Sequence, residues 1–447
     1  MGIVGKEIRL LLRDRNFMVQ TLFIPAIITA YNVLLNPPLI EGVKNNFYHA
    51  GALAFGIGSY VLIFGGASVL NAEGKSLWLL YTFPASLKDI MLRKAKMWGI
   101  ISSSYCLVPL GIFFWLNPRF DGDLIPAALM ALAGVVIYSF VASGIGVLAT
   151  NPTEELHQRK MRPGPLYLYM FLSGLYVFAF YADSAWTRIV LLVICSLMAV
   201  SIWQKVVERL PYLLDPDGAP RARIGLAEGM MATLAFLVLQ ELFFHLYSAT
   251  ISLDIGNIRM LSYFSSGLVV SVFSLGIMKL WKYTDILEDI GLGTLRRTSS
   301  PGMLKMRIRP TVLWTALTVT VGTGYLFVLQ GTGLLSDLSD KADTGFLKVN
   351  SIPFFIIAVL LAPVFEEFIF RGILFSGMKR ILNLPCAILG SAAIFALIHP
   401  ASSFVPVLVL GIATAAVFNR TRSIYCPMLV HMAYNTAVVF IRVSVIG

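Results

Sequence analysis

Charge is what this sequence has least of. Only 13% of its 447 residues are Asp, Glu, Lys or Arg, against roughly 25% in a soluble domain. With 57% hydrophobic residues and a mean hydropathy of +0.78, that shortage excludes a water-soluble core of this length. The apolar surface has to face lipid. Cysteine is scarce too. Cys106, Cys195, Cys386 and Cys426 lie far apart in or beside apolar runs, with no C-x-x-C pair. A cysteine zinc site and a disulfide framework are therefore not indicated, and the four read as small buried hydrophobes. A nucleotide-binding P-loop is absent: Gly74-Lys75-Ser76 carries Val69 where that motif needs glycine. No small-residue cleavage site follows a short apolar core near the N-terminus, so no cleavable signal is expected. Lys6 stands where a myristoylation start has Ser or Thr.

What is present is a succession of long apolar runs. A membrane-spanning helix needs about 20 mostly apolar residues, and about thirteen runs qualify as candidates. Six lie near 17–36, 50–70, 98–116, 125–149, 165–181 and 187–203. Seven more lie near 228–248, 259–280, 311–330, 351–371, 384–399, 402–418 and 424–441. The expected class is an all-α, polytopic transmembrane helical protein. The formal net charge of +11 does not indicate nucleic acid, because the Lys and Arg residues sit in short loops and form no basic face. That is the distribution the positive-inside rule produces.

Residues 1–16 carry Lys6, Arg9, Arg13 and Arg15. The loop 71–97 carries Lys75, Lys88, Arg93, Lys94 and Lys96, and the loop 281–310 carries Lys282, Arg296, Arg297, Lys305, Arg307 and Arg309. An even number of runs separates each loop from the N-terminus, so all three are expected in the cytoplasm, at a plasma (inner) membrane. The loop 331–350, with Asp337, Asp340 and Asp343, is expected outside. The stretch 204–227 contains Pro-Tyr-Leu-Leu-Asp-Pro-Asp-Gly, a linker composition. Two modules are expected, 1–210 and 211–447.

Chemistry concentrates in the second. Glu366, Glu367 and Arg371 lie inside an apolar run, where each charge costs a few kcal/mol on insertion scales. At helical spacing Arg371 is i+4 from Glu367 and can pair with it, leaving Glu366 to point elsewhere. A carboxylate buried beside a second one is a setting for general-base work near neutral pH. The chain has five histidines. His399 ends Phe395-Ala396-Leu397-Ile398-His399, and His431 and Asn435 stand i,i+4 on one helical face. On helices near 351–382, 384–399 and 424–441, Glu366 is 13 residues from Lys379, His399 is 15 from Leu384 and Asn435 is 13 from Arg422. At 1.5 Å per residue these are depths of ~20–22 Å, with His431 at ~14 Å.

Bland readings stand beside this. Glu367–Arg371 could be a structural ion pair, His399 a cap before Pro400, and His431 with Asn435 interhelical hydrogen-bonding groups. A Glu and two His also make a zinc triad conceivable. Glu241 and His245, i,i+4 near the outer end of their run, read as a satisfied structural pair.

In order, Glu-Glu-x-x-x-Arg at 366–371, Phe-x-x-x-His at 395–399 and His-x-x-x-Asn at 431–435 resemble the CPBP family of intramembrane proteases. These are the CAAX prenyl endopeptidase type II and bacteriocin-processing (Abi-like) proteins, and the resemblance covers about 228–447. It implies a glutamate-dependent intramembrane endopeptidase with no required metal. Glu366 would activate water with His399, His431 and Asn435 would stabilise the oxyanion, and Glu367 and Arg371 would support them. Its substrates would be peptides or prenylated or leader-bearing proteins. As a departure, this sequence ends soon after the third motif, so the eighth span usual in that family is expected to be missing and replaced by packing against the first module.

Residues 1–17 are basic and amphipathic, suited to the membrane interface. With six runs and a Glu-containing loop after the second, residues 1–210 resemble an ABC exporter permease. That resemblance implies a separate ATPase subunit docking on the 71–97 loop. Two other classes stay open: an exporter permease whose second module is non-catalytic, and a non-enzymatic immunity or scaffolding protein.

Overall fold

The computed structural model describes the chain except residues 1–2, 37–40, 42–45, 83, 117–121, 151–162, 216–217, 294–300, 333–354 and 447. The acidic loop expected outside and Arg296–Arg297 lie outside the described residues. The described residues form helices joined by turns and short irregular segments, without strands. Two compact units divide between Ala219 and Pro220. Nine described helices are long and apolar enough to cross a membrane, which makes this an integral membrane protein.

Of the other four expected runs, three depart from a plain spanning helix. The run at 17–36 is interrupted: α2 (Arg15–Met18) passes through a π-helical turn at Val19–Phe23 into α3 (Ile24–Leu34). The run at 351–371 alternates π and α geometry. That at 384–399 forms a shorter apolar helix, and that at 424–441 lies within the continuous 22-residue helix Tyr425–Ile446.

In the first unit, α1 (Ile3–Arg13) precedes α2 and α3. Then come α4 (Phe47–Phe64), a 3-10 stretch (Asn71–Thr82), α5 (Leu87–Leu116), α6 (Leu124–Ala149), α7 (Pro163–Tyr181) and α8 (Ala185–Arg209). The core between α4, α6 and α7 is aromatic: Phe55 packs against Tyr138, Tyr176 and Phe180. Glycine lets α6 approach the 3-10 turn that follows α4 (Gly66–Ser68) closely, because a Cβ on Gly146 would stand 2.1 Å from the Ala67 carbonyl oxygen.

An ion network ties α1 down. Buried Lys94 of α5 contacts Glu7 at 2.7 Å and Glu73 at 2.6 Å, and donates to the Val69 carbonyl at 2.9 Å. Lys6 adds a second contact to Glu73 at 2.6 Å. Glu7 and Leu11 of α1 face inward, while Ile8 and Leu12 stay exposed.

The second unit contains α9 (Leu226–Thr250), α10 (Ile255–Leu280), short α11 (Ile286–Asp289) and α12 (Pro301–Gly331). A composite helix follows: a π stretch (Ile356–Leu361), α13 (Ala362–Glu367), a second π stretch (Phe368–Phe375) and α14 (Ser376–Met378). Then come α15 (Leu384–Leu397), α16 (Phe404–Thr421) and α17 (Tyr425–Ile446). α9 packs on α10 and on the second π stretch, α15 on α16, and α12 on α16 and α17.

The approach of α9 to the composite helix rests on absent side chains. Gly225 and Gly229 are i,i+4, the small-xxx-small spacing that lets membrane helices touch backbone to backbone. A Cβ on Gly229 would stand 2.5 Å from Leu374 Cα, and one on Gly377 would stand 2.2 Å from the Gly225 carbonyl oxygen.

Candidate active site

Four elements converge on the carboxylates. Glu366 and Glu367 close α13, with side chains 7% and 0% exposed. The π stretch after them carries Arg371. There the backbone bonds run i→i+5 and the helix is wider than an α-helix, a geometry that recurs at functional sites. Arg371 Nε lies 3.1 Å from Glu367 Oε2, on the i,i+4 face that helical spacing predicts.

Arg371 is almost fully buried, so its remaining donors need partners. Nη2 donates to the Gly411 carbonyl at 3.4 Å. The guanidinium carbon stands 4.4 Å from the centroid of the Phe395 ring, over its face, where the ring quadrupole supplies attraction that hydrogen bonds do not. Phe395 is the hub of the site. Its ring meets His399 at 4.7 Å, Phe370 at 5.0 Å and His431 at 5.8 Å, all edge-on.

His431, on α17, bridges the two carboxylates. Nδ1 lies 2.8 Å from Glu367 Oε1 and Nε2 lies 3.5 Å from Glu366 Oε2. A carboxylate accepts, so Nδ1 carries a proton. Nε2 then faces a second carboxylate, and that contact is attractive only if one further proton sits on Nε2 or on Glu366. With that proton, two carboxylates, one guanidinium and one histidine sum to no net charge. A buried cluster requires such neutrality, since desolvating an uncompensated charge costs several kcal/mol.

His399 follows the end of α15. Its Nδ1 lies 2.7 Å from the Phe395 carbonyl oxygen. A carbonyl only accepts, so Nδ1 is the donor, and in the neutral ring Nε2 keeps the lone pair. Asn435, one turn beyond His431, donates from Nδ2 to the Ala358 carbonyl at 2.8 Å. It thereby satisfies backbone in the first π stretch, and a second Nδ2 hydrogen remains.

The structure thus gathers Glu366, Glu367, Arg371, His399 and His431 around Phe395, with Asn435 engaging the helix that carries the carboxylates. Tyr263 completes the site and was not anticipated from sequence. From α10 its hydroxyl donates to Glu366 Oε1, and its ring packs edge-on against Phe236. A faint signal existed: a tyrosine among serines, Ser262-Tyr263-Phe264-Ser265-Ser266, inside a span instead of in the aromatic belt at its ends.

Glu241 and His245 do not form the pair expected of them. Both side chains point outward, and no hydrogen bond or ion pair joins them among the described residues. Also among the described residues, no three His, Cys, Asp or Glu side chains form a group suited to a metal ion.

The fold and these residues define a buried carboxylate–histidine–arginine centre inside an all-helical integral membrane protein. Residues 348–437, which carry all of these groups except Tyr263, match the family described as type II CAAX prenyl endopeptidase, Rce1-like. YdiL of Bacillus subtilis (strain 168), provisionally named a membrane peptidase, is 30% identical over 98 residues. That match covers 22% of this chain and 40% of the relative. No solved structure matches.

Proposed function

We propose that residues 220–447 form a glutamate-type intramembrane endopeptidase. The observation that carries this reading is the buried cluster itself. Two adjacent carboxylates, an arginine and a bridging histidine sit buried among apolar helices, within the segment that matches the prenyl endopeptidase family.

In the proposed reaction Glu366 takes a proton from water, and the resulting hydroxide attacks the scissile carbonyl. The carbonyl becomes a tetrahedral oxyanion. Glu366 then returns the proton to the leaving amine as the C–N bond breaks. Tyr263 holds Oε1 of Glu366, which leaves Oε2 on the His431 side as the working oxygen. His399, oriented through the Phe395 carbonyl, presents Nε2 to the water. A proton on His431 Nε2 and the second Asn435 Nδ2 hydrogen serve as donors to the oxyanion, the interaction that contributes most to acyl-transfer catalysis. Glu367 and Arg371 position His431. This mechanism calls for no metal.

The substrate class is a peptide or a prenylated or leader-bearing protein presented from the bilayer. The module sits in the plasma membrane with its basic loops in the cytoplasm. For the first unit we propose the permease-like scaffold of the exporter resemblance, with an ATPase subunit docking beside Glu73, where Trp78 and Leu79 are exposed. Copurification of an ATPase with the full chain, lost on Trp78→Ala, tests that.

The protease reading is tested with the full chain in liposomes, given farnesylated C-terminal peptides and leader-peptide fusions, with mass spectrometry of the products. Glu366→Gln and Glu366→Ala should both abolish cleavage. Cleavage that persists in both excludes Glu366 as the base, and no cleavage by the wild type favours the immunity or scaffolding reading. Loss of cleavage on chelation with recovery on zinc would replace the metal-free mechanism by the zinc one.

A further inference from the structure

A second polar feature lies at the far end of the helix that carries the carboxylates. A cavity of about 500 Å³ is lined by Arg223, Lys379, Arg380 and Arg422 together with Glu288 and Asp289. Four cations thus face two carboxylates. The pairing is uneven. Arg380 contacts Asp289 at 2.7 Å and Arg223 contacts Asp285 at 3.2 Å. Neither Lys379 nor Arg422 pairs with a carboxylate among the described residues. Lys379 Nζ donates to the neutral Asn419 amide at 2.6 Å.

These two cations also oppose one another. Burial lowers the Lys379 pKa, and the positive charge of Arg422 lowers it further. Arg422 is held in place by its backbone, which caps α16 in the left-handed conformation at φ 52° and donates to the Phe418 carbonyl at 2.8 Å. Opposite it, the turn at Gly291, φ 79°, accepts from Ile424 at 3.3 Å. Lys379 and Arg422 thus line the cavity as two like charges, neither of them in an ion pair with a carboxylate among the described residues.

We propose that this cavity binds a phosphate-class anion, bridged by Lys379 and Arg422 and presented by an anionic lipid headgroup. A guanidinium matches phosphate oxygens in a bidentate fork and an ammonium adds a point charge. Depth agrees with a lipid source. Lys379 is 13 residues from Glu366, at most ~20 Å along a helix whose π stretch rises less per residue than the α-helical ~1.5 Å, which is on the order of the ~15 Å half-thickness of a hydrocarbon core. The cavity therefore lies at headgroup level when Glu366 lies near the midplane.

The test uses the full chain purified in detergent and in nanodiscs of phosphatidylglycerol or phosphatidylcholine. Retained lipid is read by native mass spectrometry and thermal stability is followed with and without inorganic phosphate. The wild type should retain phosphatidylglycerol over phosphatidylcholine. The double variant Lys379→Gln, Arg422→Gln should bind it roughly 30-fold more weakly, and each single variant about fivefold. Arg420→Gln, an exposed arginine outside the cavity, should behave as wild type. If the double variant does not purify, the single variants and charge-preserving Lys379→Arg carry the comparison. Stabilisation by inorganic phosphate that needs Lys379 and Arg422, without lipid preference, assigns the anion to a soluble phosphate. Equal retention and equal phosphate response in wild type and variants overturn the proposal.

Discussion

Gly229→Ala probes the link between packing and chemistry most directly, because it adds one carbon far from any reacting atom. The new Cβ would stand 2.5 Å from Leu374 Cα, where ordinary contact begins at 3.4 Å. The obstacle is backbone and not the flexible end of a side chain, so α9 and the composite helix must separate by about 1 Å. Overpacking of this kind costs ~1–3 kcal/mol. Leu374 lies three residues from Arg371 in the same π stretch, so the displacement reaches the cluster. A misplacement of about 1 Å can reduce a rate ~100-fold. The expected result is a lower melting temperature together with a ~100-fold fall in the cleavage of whichever farnesylated peptide or leader fusion the wild type processes. Gly276→Ala is the matched control: no atom stands within 4 Å of its new Cβ, and helix propensity favours alanine by up to ~1 kcal/mol. It should leave activity and melting temperature unchanged or slightly raise the latter. Wild-type stability and activity in Gly229→Ala would refute the claim that this close approach positions the site.

Tyr263→Phe removes one hydrogen bond to a charged group, worth ~1.5–3 kcal/mol. It should lower kcat by about 10- to 100-fold with KM little changed, and a change confined to KM would place Tyr263 in substrate binding instead. Glu367→Gln leaves Arg371 and the Nδ1 side of His431 without their counter-charge, so a loss of ~3–5 kcal/mol is expected. That loss should show as a fall in yield and melting temperature before any effect on catalysis is measurable. In the first unit, burial raises the Glu73 pKa, but Lys94 and Lys6 outweigh it and hold the carboxyl below its ordinary value of 4.5. The stabilisation is thus fully present above pH 4.5 and is lost as pH falls through the lower folded value. Melting of the first unit should be flat from pH 7 to about 5, decline in stronger acid, and lose that decline in Glu73→Gln. A decline unchanged in that variant would refute the role of Glu73.

The sequence by itself determined the all-helical membrane class, because 57% hydrophobic and 13% charged residues permit no other solvent for so long a chain. It also determined the i,i+4 meeting of Glu367 with Arg371, since helical periodicity alone brings those side chains together. Helix interruption was less legible. Runs at 17–36 and 351–371 satisfy hydropathy yet contain π turns, because hydropathy counts apolar residues and does not register backbone phase. What only the tertiary structure decided are the contacts between helices distant in sequence. His431 bridges both carboxylates, Arg371 lies over Phe395, Tyr263 reaches Glu366, and Lys379 and Arg422 line one cavity. Each depends on the rotation and separation of packed helices. Those are set by where glycines such as Gly229 and Gly377 let backbones touch, and no local periodicity encodes which helix will lie against them.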